Sequence, residues 1–197
     1  MREEAKPPEF DPGRPLGSAL KVLRAALLSP RRFYAGLPAD GPVREPALFT
    51  LLVGAFSGLM GAAVSLGTGL AAGNLGAAEA GITLLQALLA ALLSPAFVGV
   101  VAAVYLLAIR TFVGRVADFR GVYRISAYAF GAMALAWIPA LGALAVTYSL
   151  MVLMGFGVRY VYRTSSLTAL VTALSCFVPL GVALIWLRIL AAGMVAP

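Results

Sequence analysis

Four charged residues lie close together in the middle of the chain, where they could form a catalytic site or a binding site. They are Arg115, Asp118, Arg120 and Arg124. Guanidinium groups around one carboxylate can bind an anion, and a carboxylate can act as a general acid or base when a second titratable group is near. The stretches before and after this cluster carry almost no charge.

Catalysis by paired titratable groups finds little support in the residue types. Only Glu79 and Asp118 are acidic beyond the first 45 residues, and the chain has no histidine. Its one cysteine, Cys176, lies in an apolar stretch. These features exclude histidine-ligated metals, histidine acid–base catalysis and a disulfide framework. Serines and threonines of the apolar stretches have no base beside them. We therefore expect no enzyme, no cofactor and no metal site.

The composition indicates an integral membrane protein. Of the 197 residues, 61% are hydrophobic and 12% charged, and the mean hydropathy is +0.95. A soluble domain of this size could not cover so much apolar surface with polar groups. The net charge is +7, but no basic domain stands outside the apolar stretches, so nucleic acid is not an expected partner.

Five apolar stretches are long enough to cross a bilayer. A helix rises about 1.5 Å per residue and the hydrocarbon core is about 30 Å thick, so a span needs roughly 20 residues. The predicted spans, which form an all-α membrane domain over residues 46–197, are Pro46–Leu70, Gly81–Ile109, Val122–Ile138, Leu141–Val158 and Leu167–Leu187.

Prolines and glycines predict local features within these spans. Pro139 and Gly142 interrupt the long apolar run 122–158, where proline disfavours the helix and glycine permits a tight turn. Pro95 predicts a kink in the second span, with Ser94 available to donate to the carbonyl that proline leaves free. The small-residue pair Gly54 and Gly58 predicts close packing, either against another helix of the chain or against a second copy.

The segment before the first span has the pattern of surface helices. Residues 16–45 are expected to lie in the membrane interface, where basic side chains meet anionic inner-leaflet lipid. The apolar residues that recur on one face are Leu16, Leu20, Leu23 and Leu27. Met1–Pro15 combine prolines with mixed charge and are expected to form a disordered cytoplasmic tail.

The distribution of basic residues predicts the orientation. Of the 15 lysines and arginines, all but Arg188 fall before the first span, after the second, or between the fourth and fifth. The positive-inside rule then puts the N-terminus in the cytoplasm and, with five spans, the C-terminus outside. The strong excess of arginine over lysine is typical of GC-rich bacterial genomes, so we expect a bacterial cytoplasmic membrane.

Several short motifs resemble the Yip family of five-span membrane proteins. They are "LLSPRRFYAGLP", "REPALF", "FRGVYRISAYAF", "IPALG", "TYSLMVLMGFGVRY" and "TSSLTAL", and include Tyr123, Arg124, Ala127, Tyr128, Ile138, Pro139 and Thr164–Ser166. The resemblance covers about residues 22–187 and implies a cytosolic N-terminus, five helices and an external C-terminus. Eukaryotic members bind Rab-type GTPases and act in vesicle traffic. This chain lacks their long cytosolic N-terminal region, so we do not expect GTPase binding to carry over.

Two functions fit these observations. In the first, the protein is a membrane scaffold or adaptor whose basic cytoplasmic face binds anionic lipid, a protein partner or a second copy. That face would comprise Arg115, Asp118, Arg120, Arg124, Arg159 and Arg163. In the second, the protein is a permease or channel for a small uncharged solute, with a path along Gln86, Tyr105, Tyr128 and Tyr148. We favour the first because the predicted spans hold no charged group that could couple an ion gradient.

Overall fold

The computed structural model describes residues 7–195, which form a bundle of helices with no strand in that range. A 3₁₀ segment, Phe130–Leu135, follows the fifth α-helix, and a π-helical segment, Tyr148–Leu153, joins the sixth to the seventh. The α-helices are α1 Pro15–Leu28, α2 Pro30–Gly36, α3 Arg44–Ala71, α4 Ala77–Phe112, α5 Phe119–Ala129, α6 Leu141–Thr147, α7 Met154–Val161 and α8 Ser166–Val195.

Four segments of the described chain are long and apolar enough to cross a membrane. They correspond to the first, second, fourth and fifth predicted spans, so the prediction of a multi-pass helical membrane protein is confirmed. The count of five is not confirmed by these criteria. The four segments are Arg44–Ala71, Ala77–Phe112, Leu141–Val161 and Ser166–Ala183.

The third predicted span is two short pieces rather than one long helix. The 11 residues of α5 are followed by 6 residues of 3₁₀ helix, and together they reach about 28 Å. The Tyr123 hydroxyl donates to the Pro95 carbonyl at 3.2 Å, while the Phe130 ring lies 6.4 Å from the Phe97 ring. Two residues seven positions apart thus contact almost the same point of α4.

The turn after this segment is built differently from the prediction. The left-handed residue is Ala140, with φ 69°, not Gly142, which lies inside α6. A Cβ on Gly142 would lie 3.0 Å from the Ala136 carbonyl oxygen. Glycine at position 142 thus permits close approach of the backbone to Ala136, and the reversal of the chain falls two residues earlier.

Packing between α3 and α4 uses small residues on both helices. A Cβ on Gly54 would lie 2.7 Å from Ser94 Oγ, and one on Gly58 would lie 2.8 Å from the Ala87 carbonyl oxygen. Ser94 donates to the Thr50 carbonyl of α3 at 2.9 Å. Both glycines therefore face a helix of the same chain.

Pro95 lies inside α4, where its ring cannot donate to the carbonyl four residues earlier. That carbonyl belongs to Ala91, and its oxygen lies 2.8 Å from Ser94 Oγ, whose single hydroxyl hydrogen it shares with the Thr50 carbonyl. The expectation that Ser94 would serve the freed carbonyl is confirmed. A second internal proline, Pro179 in α8, was not singled out by the sequence analysis.

The N-terminal helices pack on the bundle. The buried face of α1 consists of Ala19, Val22 and Ala26, whereas Leu16 and Leu20 are exposed. The Tyr148 hydroxyl donates to the Leu27 carbonyl at 2.9 Å, which ties the end of α1 to the π-helical segment.

The tail that precedes α1 is partly packed. Phe10 is only 5% exposed, so the expectation of disorder does not hold for residues 7–14, because an aromatic side chain buried against the bundle fixes the backbone beside it. Residues 1–6, and the side chain of Arg188, lie outside the described residues.

Candidate functional site

Basic side chains from three separate segments meet at one end of the bundle. The start of α5 touches both the loop after α2 and the end of α7, since a Cβ on Gly121 would lie 2.9 Å from the Ala39 carbonyl oxygen and 3.0 Å from Tyr162 Oη. We call this end the basic end. Its arginines are Arg31, Arg32, Arg115, Arg120, Arg159 and Arg163.

Most of these guanidinium groups are accessible. Arg115, Arg120 and Arg163 are exposed, and Arg159 is half-buried. The Arg159 guanidinium carbon lies 5.1 Å from the centroid of the Tyr160 ring, and that of Arg31 lies 5.9 Å from it. Cation–π contacts of this kind hold two positive charges from α2 and α7 near one aromatic ring. The arrangement is a broad cationic surface.

Asp118, the carboxylate of the central cluster, has a local structural role. It is the N-cap of α5, and its Oδ1 accepts a hydrogen bond from the Gly121 N–H at 2.9 Å. Caps of this kind contribute about 1 kcal/mol to helix stability. The side chain starts α5 and thereby positions the arginines on either side of it.

Tyr162 lies between the elements that form the basic end. Burial raises the pKa of its hydroxyl, and the negative charges of Asp118 and Asp40 raise it further. Both effects disfavour the phenolate, so Tyr162 stays neutral and leaves the positive charge of this surface undiminished.

Arg124 does not belong to the exposed surface, which corrects the prediction that it binds lipid or a partner there. Its side chain is 2% exposed, and Nη2 pairs with Glu9 Oε2 at 2.8 Å. Nη1 donates to the Pro42 carbonyl at 3.1 Å. A Cβ on Gly41 would collide with the guanidinium group. The buried cation therefore joins α5 to the N-terminal segment and to the loop before α3.

The sequence analysis missed the two residues that meet this arginine region, Glu9 and Phe10. The Phe10 ring lies 6.0 Å from that of Phe49. The Tyr128 ring in turn lies 5.5 Å from Phe49 and 5.4 Å from Phe33. The available signal was an acidic–aromatic pair after two prolines, within a segment otherwise typical of disorder.

A cavity of about 200 Å³ lies between α4, the 3₁₀ segment and the π-helical segment. Its lining is mainly apolar, and its two serines, Ser126 and Ser149, donate to the carbonyls of Val122 and Ala129. Two tyrosines expected along a solute path are also engaged with backbone, since Tyr105 donates to the Leu150 carbonyl and Tyr148 to that of Leu27. Gln86 is exposed on the outer surface of α4.

Among the residues that the structure describes, no group of three or more His, Cys, Asp or Glu side chains could hold a metal ion. No curated protein and no solved structure matches this chain.

The model of one family matches most of the chain. That family is described as the Yip1 domain, and its model matches residues 24–187. The match includes α3 to α7, the central arginine cluster and most of α8. The resemblance noted in the sequence is thereby confirmed: this chain belongs to the Yip1 domain family and is an integral membrane protein.

Proposed function

We propose that this protein is a non-enzymatic membrane scaffold or adaptor that binds anionic lipid, or an acidic protein partner, through its basic end. The observation that carries the proposal is the convergence of exposed arginines from the α2 region, the α4–α5 loop and the end of α7. Each basic group near an anionic leaflet contributes about 1 kcal/mol of attraction. Lipid headgroups are the favoured ligand because Arg115, Arg159 and Arg163 lie at or just beyond the ends of segments that are long enough to cross a bilayer.

A permease is less well supported. Transport of a polar solute needs a hydrated path to the middle of the membrane. The cavity beside the π-helical segment has a mainly apolar lining, and its serines already donate to backbone carbonyls. These features favour a packed bundle over a conducting one.

The basic end faces the cytoplasm in this proposal, with five crossings and an external C-terminus. Asn74 lies in the loop between α3 and α4, at the opposite end of both helices from the basic residues. That loop carries no lysine or arginine, whereas Arg110, Arg115 and Arg120 lie in or beside the loop after α4. This asymmetry is the one that sets topology in bacterial membranes.

The test replaces three exposed arginines by glutamine in one variant, Arg115→Gln, Arg120→Gln and Arg163→Gln. Binding of a fluorescent phosphatidylglycerol to the purified protein in neutral detergent should weaken at least tenfold. The loss of about 3 kcal/mol of attraction would correspond to roughly a hundredfold. Thermal stability should change little, because exposed charges contribute only about 0–1 kcal/mol each.

The matched control replaces the same arginines by lysine, which keeps the charge. This variant should bind nearly as well as the parent, and fluorescent phosphatidylcholine should bind poorly to all three proteins. Salt should weaken the parent more than the glutamine variant, since the Debye length falls from about 10 Å at 0.1 M to about 3 Å at 1 M. Equal phosphatidylglycerol binding by the parent and the glutamine variant would contradict the lipid proposal.

A further inference from the structure

The segment Pro7–Phe10, which we call the strap, lies across the bundle, and its two consecutive prolines favour an extended backbone. It contains no regular secondary structure and is attached through side chains to three different elements. Pro7 packs on α2, where a Cβ on Gly36 would lie 2.8 Å from Pro7 Cδ. Glu9 pairs with Arg124 of α5, and Phe10 packs on Phe49 of α3.

The surface under the strap has the features of a peptide-binding site. With the strap in place, the Arg124 side chain is only 2% exposed and supplies a buried positive charge. Phe49, which is also buried, supplies the apolar contact for the Phe10 ring. The lack of a Cβ at Gly36 leaves room for a proline ring. A fixed guanidinium group next to an aromatic cluster selects a carboxylate followed by an aromatic residue, and an extended proline-rich ligand loses little entropy on binding.

The chemistry of the site also favours an anionic occupant. A buried guanidinium group without a carboxylate partner is strongly unfavourable, and Arg124 Nε still lacks a hydrogen-bond partner among the described residues. If the strap leaves, Arg124 loses its carboxylate partner, and water or another anion takes its place; a peptide carboxylate restores the ion pair that water does not. Tyr128 interacts electrostatically with Arg124 and Glu9 and also with Glu45, so Glu45 places a second negative charge near the site. Repulsion by this charge favours a singly charged peptide carboxylate over a more highly charged phosphate.

We propose that this surface is a binding site for an extended acidic–aromatic peptide, and that the strap occupies it in cis and is exchanged for the same kind of segment of a partner protein. The site is separate from the exposed arginines of the basic end and does not depend on the function proposed for them. The connection through Asp11–Arg14 keeps the strap nearby. Its Asp11 N–H donates to Ser18 Oγ at 3.0 Å, and the Gly13 N–H donates to Asp11 Oδ1 at 2.8 Å.

A short tether gives the strap an effective concentration on the order of millimolar, so a free peptide competes poorly until the strap is weakened. The first experiment uses the full-length variant Glu9→Gln, Phe10→Ala and a fluorescent peptide of sequence PPEFDPGR, which reproduces residues 7–14. Anisotropy in neutral detergent should show binding at least tenfold tighter to this variant than to the parent. Peptides PPQFDPGR and PPEADPGR should each bind at least tenfold more weakly than PPEFDPGR.

A second measurement avoids weakening the strap. A fluorophore is attached at the exposed position 8 through Pro8→Cys in a Cys176→Ser background, with all other residues unchanged. Millimolar PPEFDPGR should raise the mobility of the probe in a saturable way, and PPQFDPGR should not.

The proposal would be overturned if PPEFDPGR failed to bind a folded Glu9→Gln, Phe10→Ala variant and also left the probe at position 8 unchanged. It would equally be overturned if the control peptides bound as well as PPEFDPGR. A weakened strap that gained affinity for phosphatidylglycerol vesicles but not for the peptide would assign the site to an anionic headgroup instead.

Discussion

Two arginines of one helix have different surroundings although they lie four positions apart. Arg120 is exposed on the first turn of α5, whereas Arg124 is buried and pairs with a glutamate that lies 115 positions away along the chain. The sequence places both residues in one basic cluster, and only the position of Arg124 beside Tyr123, at the start of the predicted third span, indicates a structural role for it. Burial separates them, and burial depends on the N-terminal segment and on the loop before α3.

The difference in burial predicts that the same substitution destabilises the protein at one position and has little effect at the other. Arg124→Gln should lower the free energy of unfolding by about 3 kcal/mol, because it breaks a buried ion pair and removes the hydrogen bond to Pro42. Arg120→Gln should change it by less than about 0.5 kcal/mol. Denaturation in neutral detergent measures both. Similar costs for the two variants would mean that Arg124 is not held as described.

At the scale of elements, substitutions at two glycines of α3 can show whether this helix packs against α4 of the same chain or against a second copy of the protein. Gly58 faces α4 at a distance that leaves no room for a methyl group, whereas a Cβ on Gly61 would meet nothing within 4 Å. Gly58→Ala should therefore destabilise the protein by about 1–3 kcal/mol through overpacking. Gly61→Ala, on the same helix, should be neutral or stabilise slightly, because alanine favours helix over glycine.

Thermal unfolding in detergent, combined with size-exclusion chromatography, checks this pair of variants. If the glycines formed a dimer contact instead, Gly58→Ala would change the oligomeric state and leave the stability of the monomer unaltered. That outcome would contradict the packing of α3 against α4.

Hydropathy predicts the long helices of this fold well because each must be about 20 apolar residues long. The residue types within the second span also identify Pro95 as a helix irregularity and Ser94 as the side chain that serves the freed carbonyl. Hydropathy does not predict that Val122–Ile138 divides into α5 and a 3₁₀ segment, since "FGAMAL" carries no local signal for that change. Nor does it predict that Phe10 is buried. Both features arise from contacts between residues far apart in sequence, Phe130 with Phe97 and Phe10 with Phe49.

At the scale of the whole molecule, the contact between the start of α5 and the end of α7 constrains the topology. Tyr162 lies beside Gly121, so the two ends of the segment 119–162 lie on the same side of the membrane. The return half, Leu141–Val161, is long and apolar enough to cross. If it crosses, the outgoing half must cross as well, even though α5 and the 3₁₀ segment are short. This argument supports the proposed topology of five crossings, in which the turn at Ala140 lies on the side opposite the basic end.

Single cysteines in a Cys176→Ser background test that topology, one at each of positions 74, 116 and 140. We expect Asn74→Cys and Ala140→Cys to react with an impermeant thiol reagent in intact cells, and Val116→Cys to react only after permeabilisation, because the arginines beside it stay inside. Position 116 suits the labelling experiment because Val116 is 63% exposed, whereas the neighbouring Ala117 is only 6% exposed and a cysteine there would be shielded from the reagent. Reaction of Val116→Cys in intact cells would invert the orientation. If both Ala140→Cys and Val116→Cys were protected in intact cells, the hairpin 119–162 would enter the membrane from the cytoplasmic side without crossing it. Only α3, α4 and α8 would then cross the membrane, and α8 would still carry the C-terminus to the outside.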